Sequence, residues 1–346
     1  ESGFVVPPLA GNFPGQSLTD TAVVYEKTPE DLLPGHFRMT YLFFNATAGN
    51  EGYEAALAIS DNLVDWTFNR GGDDGIVLQR SNTPGAFDFG GVTLGGMHFA
   101  NYSVTARRTL KAVDGSYHAL YGCYPSRSGY EAGNGGQGMA RSMDGVTWSR
   151  VSVTTPVVPG ASKTSPAWMN QVVYQPFLLE SGSTMYDFFN AKGINEFGKS
   201  AEESGFATLP TSTFPGLSGN ASSWTVNKAS PVIASGGAGS CDGAMASDPK
   251  VFWDDEQGIW VMFYFGLGDG THGHAEIMFA VSHDLVHWEK DPTPLYAAGG
   301  HPMGIDADHA HKVSLIYHNG VGYLYYTAVG PKGRGIALLT SQPLMQ

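Results

Sequence analysis

Carboxylates, imidazoles and amides stand just ahead of short β-rich runs at five places along the chain. Asp20 precedes the run at 21–25, and His98, Asn101 and Tyr102 precede that at 103–107. Trp168, Asn170 and Gln171 precede the run at 172–177, and Asp242 and Asp248 that at 250–253. Asp306, Asp308, His309, His311 and Lys312 precede the run at 313–317. Two carboxylates in one partly dry pocket have their pKa values pushed apart, so one keeps its proton while the other stays ionised, the division of labour that acid–base chemistry needs. The cluster Asp306-x-Asp308-His309-x-His311 also has the composition of a metal site, since oxygen ligands suit Ca²⁺ and imidazole suits Zn²⁺. Strands with a purely structural role need no such density of polar groups at their starts.

Residues so far apart in sequence meet only if the strands they precede converge. A repeated phrase shows how. Ser60-Asp61-Asn62-Leu63-Val64-Asp65-Trp66 returns as Ser142-Met143-Asp144-Gly145-Val146-Thr147-Trp148 and as Ser282-His283-Asp284-Leu285-Val286-His287-Trp288. A degenerate copy ends at Trp224, so the Trp spacings are 82, 76 and 64 residues. Each full copy follows an apolar run and reads as strand, polar turn, next strand. Repetition at this period implies an array that packs against itself. Five blocks are found, each with an inner strand, an aromatic second strand and a third strand. They predict an all-β, five-bladed β-propeller occupying residues 1–346 as one domain, in which the inner strands line a central channel. The fifth block ends before a fourth strand, and the segment at 3–7 is expected to supply it, because closure removes exposed sheet edges. The repeated Trp residues are expected to be buried between sheets.

The 46 Gly and 20 Pro residues fit many strands joined by turns. A net charge of −13 argues against nucleic acid as a partner. No apolar run approaches the ~18 residues of a membrane span. The sequence begins at Glu1 without Met and carries three Asn-x-Ser/Thr sequons, at Asn45, Asn101 and Asn220. These predict a secreted, extracellular glycoprotein after removal of a signal peptide. Glycans are expected at Asn45 and Asn220 and not at Asn101, which this reading places at the channel mouth. Cys123 and Cys241 are either one disulfide or two buried thiols.

The phrases at 60–66 and 282–288 and the stretch Ala246-Ser-Asp-Pro-Lys-Val-Phe252 resemble the five-bladed propeller glycoside hydrolases, the family 43 arabinosidases and xylosidases and the family 32 fructosidases. Gly129-Tyr-Glu-Ala-Gly133, Ser247-Asp-Pro-Lys250 and Ala310-His-Lys-Val-Ser-Leu-Ile-Tyr317 resemble glycosidase-like members of that superfamily more closely. The resemblance implies hydrolysis of a terminal sugar, arabinofuranoside- or xyloside-like, by two or three carboxylates, because one group protonates the leaving oxygen while another activates water or attacks the sugar. It implies Asp20 and Asp248 as catalytic carboxylates. No Glu precedes a Gly-Pro here, so Glu131, in a glycine-rich loop, is the expected acid. Tyr102, Tyr130 and Trp168 would stack on sugar faces. His98, Asn101, Asn170, Gln171, Asp242, Asp306, Asp308, His311 and Lys312 would contact substrate. The reaction requires no cofactor, with Ca²⁺ the candidate ion; the partner is a carbohydrate and the expected state a monomer. Two alternatives stay open: a polysaccharide lyase, with His98, Tyr102, His311 and Lys312 moving protons beside a uronic acid, and a sugar-binding propeller without catalysis.

Overall fold

Fifteen strands dominate the computed structural model, which describes residues 3–8, 19–45, 51–68, 75–129, 131–218 and 221–342. They fall into five consecutive antiparallel groups of three. The first holds β1 (Thr19–Glu26), β2 (Phe37–Asn45) and β3 (Gly52–Ser60); the second β4 (Gly91–Met97), β5 (Ser116–Tyr124) and β6 (Gln137–Ser142). The third holds β7 (Val172–Ser181), β8 (Thr184–Ile194) and β9 (Ser200–Pro210); the fourth β10 (Met245–Asp254), β11 (Ile259–Leu267) and β12 (Ala275–Ser282). The fifth holds β13 (His309–His318), β14 (Val321–Gly330) and β15 (Gly333–Thr340). In the first four groups a two-residue strand edges the third strand: Thr67–Phe68, Ser149–Arg150, Thr225–Val226 and Glu289–Lys290. In the fifth, Val6 near the N-terminus forms an isolated antiparallel bridge to Ile336 of β15. No helix among the described residues is long and apolar enough to cross a membrane.

The repeated phrases form nearly identical turns. In each, the Ser Oγ accepts the backbone N–H of the residue three ahead, Leu63, Gly145 or Leu285. The Asn62, Asp144 or Asp284 carboxamide or carboxylate accepts two further backbone N–H groups. The fourth residue is left-handed in all three copies, with φ of 66°, 76° and 67°. That conformation is costly for leucine; burial of Leu63 and Leu285 offsets it. Trp66, Trp148 and Trp224 are buried and Trp288 is half-buried. They sit between neighbouring groups: Trp66 packs edge-on against Tyr325 of the fifth group, with ring centroids 5.8 Å apart.

The apolar core therefore lies between groups. One cluster joins the second and third through Leu120, Met139 and Phe189, another the fifth and first through Val24, Met39 and Ile316, and a third the fourth and fifth through Ile277, Ala310 and Tyr326. The first strands touch in a cycle: β1 meets β4 and β13, β4 meets β7, β7 meets β10, and β10 meets β13. One sequence expectation changes. The second group's first strand is Gly91–Met97; the segment at 103–107 is not a strand but bridges to Trp253 through Ser103. Its β-branched residues suggested a strand, while the glycines of β4 disguised one. The two cysteines are free and buried, so the disulfide alternative is set aside.

Candidate active site

Each of the five first strands carries an irregularity, in the N-terminal half of all but β4, where one extra residue faces the partner strand. It falls at Ala22 in β1, Gly95 in β4, Tyr174-Gln175 in β7, Asp248-Pro249 in β10 and Lys312-Val313 in β13. A bulge bends its strand and re-aims a side chain. Asp248 and Lys312, at corresponding positions, both take left-handed backbone, with φ of 57° and 54°. Such values in non-glycine residues cluster where a site demands them. At the corresponding position of β4, a Cβ on Gly95 would come within 2.3 Å of Gln175 Nε2, the movable end of a side chain, so a larger residue there would displace that amide.

The bulges of β7, β10 and β13 open into a cleft of ≈ 240 Å³. Asp248, Gln175, His311 and Lys312 enter it from the first strands. Glu202 enters from β9, at the point where β9 pairs with Met245 of β10. Glu131 enters from the glycine-rich loop after β5, itself left-handed at φ 49°. Tyr124, Tyr174, Asn190, Ser247, Phe265, His309 and Arg334 add to the polar and aromatic lining.

The three carboxylates differ in their partners. Asp248 Oδ1 accepts from Lys250 Nζ at 2.7 Å, and both side chains are almost wholly buried, at 5% and 3% exposure. Glu202 Oε2 accepts from Ser247 Oγ at 3.0 Å and from Asn190 Nδ2 at 3.5 Å. Glu131 Oε1 stands 3.9 Å from Lys312 Nζ, beyond a hydrogen bond but within electrostatic reach. His311 Nδ1 lies 3.2 Å from the Thr327 carbonyl, which fixes the proton on that nitrogen. His309 Nδ1 accepts the Ala275 N–H at 2.9 Å. Burial holds its pKa below the usual imidazole range, against the opposing pull of Asp308.

Of the residues singled out from sequence, Asp248, Glu131, His309, His311 and Lys312 share this cleft. Asp20 lies in β1 opposite Leu42, and its side chain is outside the described residues, as are Tyr130, Asn220 and the side chain of Asn45. The rest are elsewhere. His98 is buried against Phe214 and bonds Glu180 at 2.9 Å. Asn101 and Tyr102 line a shallow depression with Trp253 and Trp260, at the opposite end of the first strands. Asn101 is exposed there, so a glycan on it would not block the cleft; the expectation built on its position at the channel mouth loses its basis. Trp168 is buried and stacks on Phe189, with centroids 5.6 Å apart. Asn170 and the exposed Gln171 lie outside the cleft, the latter accepting from Ser200 Oγ. Asp242 is tied to Tyr264 and Lys290, and Asp306 to Tyr296 and Tyr326, bonds that brace neighbouring strands. Asp308 is exposed and does not line the cleft.

Tyr124, Gln175, Asn190, Glu202 and Arg334 were not anticipated. Glu202 sits on a third strand, where a rule based on the starts of first strands does not look. The one available signal is the Glu202-Glu203 pair: adjacent strand residues point to opposite faces. Glu203 takes the buried side and accepts from Ser235, leaving Glu202 to the cleft.

Comparison with known proteins agrees with this geometry. No curated protein matches the sequence. Among solved structures, a complex of BT0996 with RGII is 23% identical, covers 99% of this protein and 92% of its own length, and superposes with a TM-score of 0.76. A putative glycosidase from Bacteroides thetaiotaomicron is 15% identical over 100% of this protein and 93% of its own length, with a TM-score of 0.59. A family 117 glycoside hydrolase from Zobellia galactanivorans is 14% identical over 97% and 88%, with a TM-score of 0.57. At these identities the likeness establishes a shared propeller fold. The family model for the glycosyl hydrolases family 32 N-terminal domain matches residues 108–305, more than half of the sequence and spanning Glu131, Glu202 and Asp248. On that match the protein belongs to the glycosyl hydrolase family 32 N-terminal domain family, and it is a glycosidase.

Proposed function

We propose that the protein is a secreted, single-domain, five-bladed propeller enzyme that removes one terminal sugar from a poly- or oligosaccharide, with Glu131 and Glu202 as the reacting pair. The observation that carries this reading is the set of three carboxylates among the described residues in one cleft, each with different partners. Glu202 accepts hydrogen bonds from Ser247 and Asn190, which hold its carboxylate in place in the cleft. It serves as the nucleophile or as the base that activates water. Glu131 protonates the leaving oxygen. Lys312, just outside hydrogen-bonding distance, stabilises the carboxylate left behind once the proton has gone. Asp248 is neutralised by Lys250, which lowers its worth as a nucleophile and suits it to accept sugar hydroxyls. The hydrolysis needs no cofactor.

The cleft's ≈ 240 Å³ falls below the ~300–1,000 Å³ of sites for larger ligands. That favours one small sugar ring, of the arabinofuranoside or xyloside kind, over an internal segment of a polysaccharide. Tyr124 and Tyr174, with centroids 6.5 Å apart, offer it an aromatic wall. The solved complex of BT0996 with RGII names the first substrate to try. Replacing Glu202 by Gln, with release of sugar from such a glycan as the readout, tests the assignment. Loss of turnover with the fold intact is expected, and unchanged turnover removes Glu202 from the reaction.

A further inference from the structure

Beside the cleft, outside its lining, three side chains of metal-binding type converge from separate segments. Cys241 lies between β9 and β10, His272 closes a single helical turn between β11 and β12, and Glu276 is the second residue of β12. Their ligand atoms all lie within 4.8 Å of one another. The closest pair, Cys241 Sγ and His272 Nδ1, is 3.4 Å apart. A tetrahedral Zn²⁺ with bonds of about 2.3 Å to sulfur and 2.0 Å to nitrogen places those two atoms about 3.5 Å apart. Glu276 Oε2 is buried and has no hydrogen-bond partner in the protein. A buried, orphaned carboxylate oxygen is costly unless something charged meets it.

The backbone is shaped to bring the three together. A Cβ on Gly268 would come within 2.3 Å of the Ser240 carbonyl and 2.6 Å of His272 Cβ. On Gly266 it would come within 2.8 Å of the Cys241 carbonyl. Only glycine lets the segments carrying Cys241 and His272 close onto β11 this tightly.

We propose that Cys241, His272 and Glu276 form a binding site for a divalent cation of the zinc class, a structural clasp on one wall of the substrate cleft. Met245, Leu267 and Ala275, which line that wall, each stand within a few residues of a ligand. Binding exchanges the thiol proton for the metal: the S–H bond breaks, the thiolate bonds the cation, and one proton leaves to solvent. None of the three ligands faces the cleft, so the ion's role is to fasten the wall and not to join in the reaction.

The test uses the purified protein stripped of metal with a chelator and titrated with Co²⁺, then Zn²⁺. One Co²⁺ per protein molecule is expected, with a near-ultraviolet thiolate-to-cobalt charge-transfer band that Zn²⁺ abolishes by displacement. Cys123→Ser keeps the band and Cys241→Ser loses it, while glycosidase activity persists in both. Should Cys241→Ser fail to fold, Glu276→Gln is read instead. It should weaken Co²⁺ binding at least ~10-fold, the loss that removing even an outer-shell partner brings. Zn²⁺ should raise the unfolding temperature of the parent and not of Cys241→Ser. A folded protein that gives no charge-transfer band, or one whose band survives in Cys241→Ser, overturns the proposal and leaves only a hydrogen-bonded thiol.

Discussion

Replacing Asp248 by Asn separates two roles that the cleft gives this residue. Asn tolerates left-handed backbone better than other non-glycine residues, so the φ of 57° adds little strain. The shape is also kept. What changes is charge: Lys250 Nζ, 2.7 Å away and 3% exposed, loses its counter-ion. Among the described residues, the face of Phe177, 5.8 Å from the ammonium, offers little compensation. Breaking a buried pair from one side costs about 3–5 kcal/mol, because a bare charge is left behind. At about 2 °C per kcal/mol, the unfolding midpoint should drop by ~6–10 °C. Lys250→Met strands the carboxylate instead and should cost a similar amount. The double variant, with no charge to strand, should recover most of the loss. Thermal or urea unfolding of all four proteins at neutral pH supplies the cycle. A shift of less than ~1 °C in Asp248→Asn, or a double variant as unstable as the two single losses added, refutes the buried-pair argument.

Glu131→Gln should lower turnover on natural glycans by ~10²–10⁴-fold, and by less on aryl glycosides whose leaving group needs no proton, as steady-state kinetics on both would show. Gly95→Ala drives a Cβ to 2.3 Å from Gln175 Nε2 and should push that amide from the cleft, raising KM with kcat little changed. Burial first, then the neighbouring His98, pushes the His118 pKa down to about 4. The unfolded chain therefore takes up a proton near pH 6.5, before the folded one does. Stability should be flat above that pH and fall steadily towards pH 4. His118→Gln should flatten this slope in unfolding curves recorded across the range.

Much of the architecture could be read from the sequence because the turn phrase is a local device. Ser60, Ser142 and Ser282 make their bonds within three residues, so the sequence around them suffices to see them. The strand Gly91–Met97 escaped notice for the opposite reason. Gly95 and Gly96 lie where Gln175, Leu120 and Pro176, from other strands, approach closely. The site divides in the same way. Asp248, His311 and Lys312 announced themselves by preceding first strands. Glu202 reaches the cleft only through the pairing of β9 with β10, a contact between residues far apart in sequence. Asp242 and Asp306 mimicked site residues because buried tyrosines and a lysine, unseen in sequence, claim them.

The measurement that bears most directly on the central claim is proton NMR of a polysaccharide digest, with the parent protein and Glu202→Gln run side by side. The parent should release a single monosaccharide, seen as new anomeric signals, with no unsaturated uronate and no ladder of oligomers, while Glu202→Gln releases none at matched fold and concentration. Release at the parental rate by Glu202→Gln, or an unsaturated product from the parent, would contradict hydrolysis by the carboxylates of this cleft.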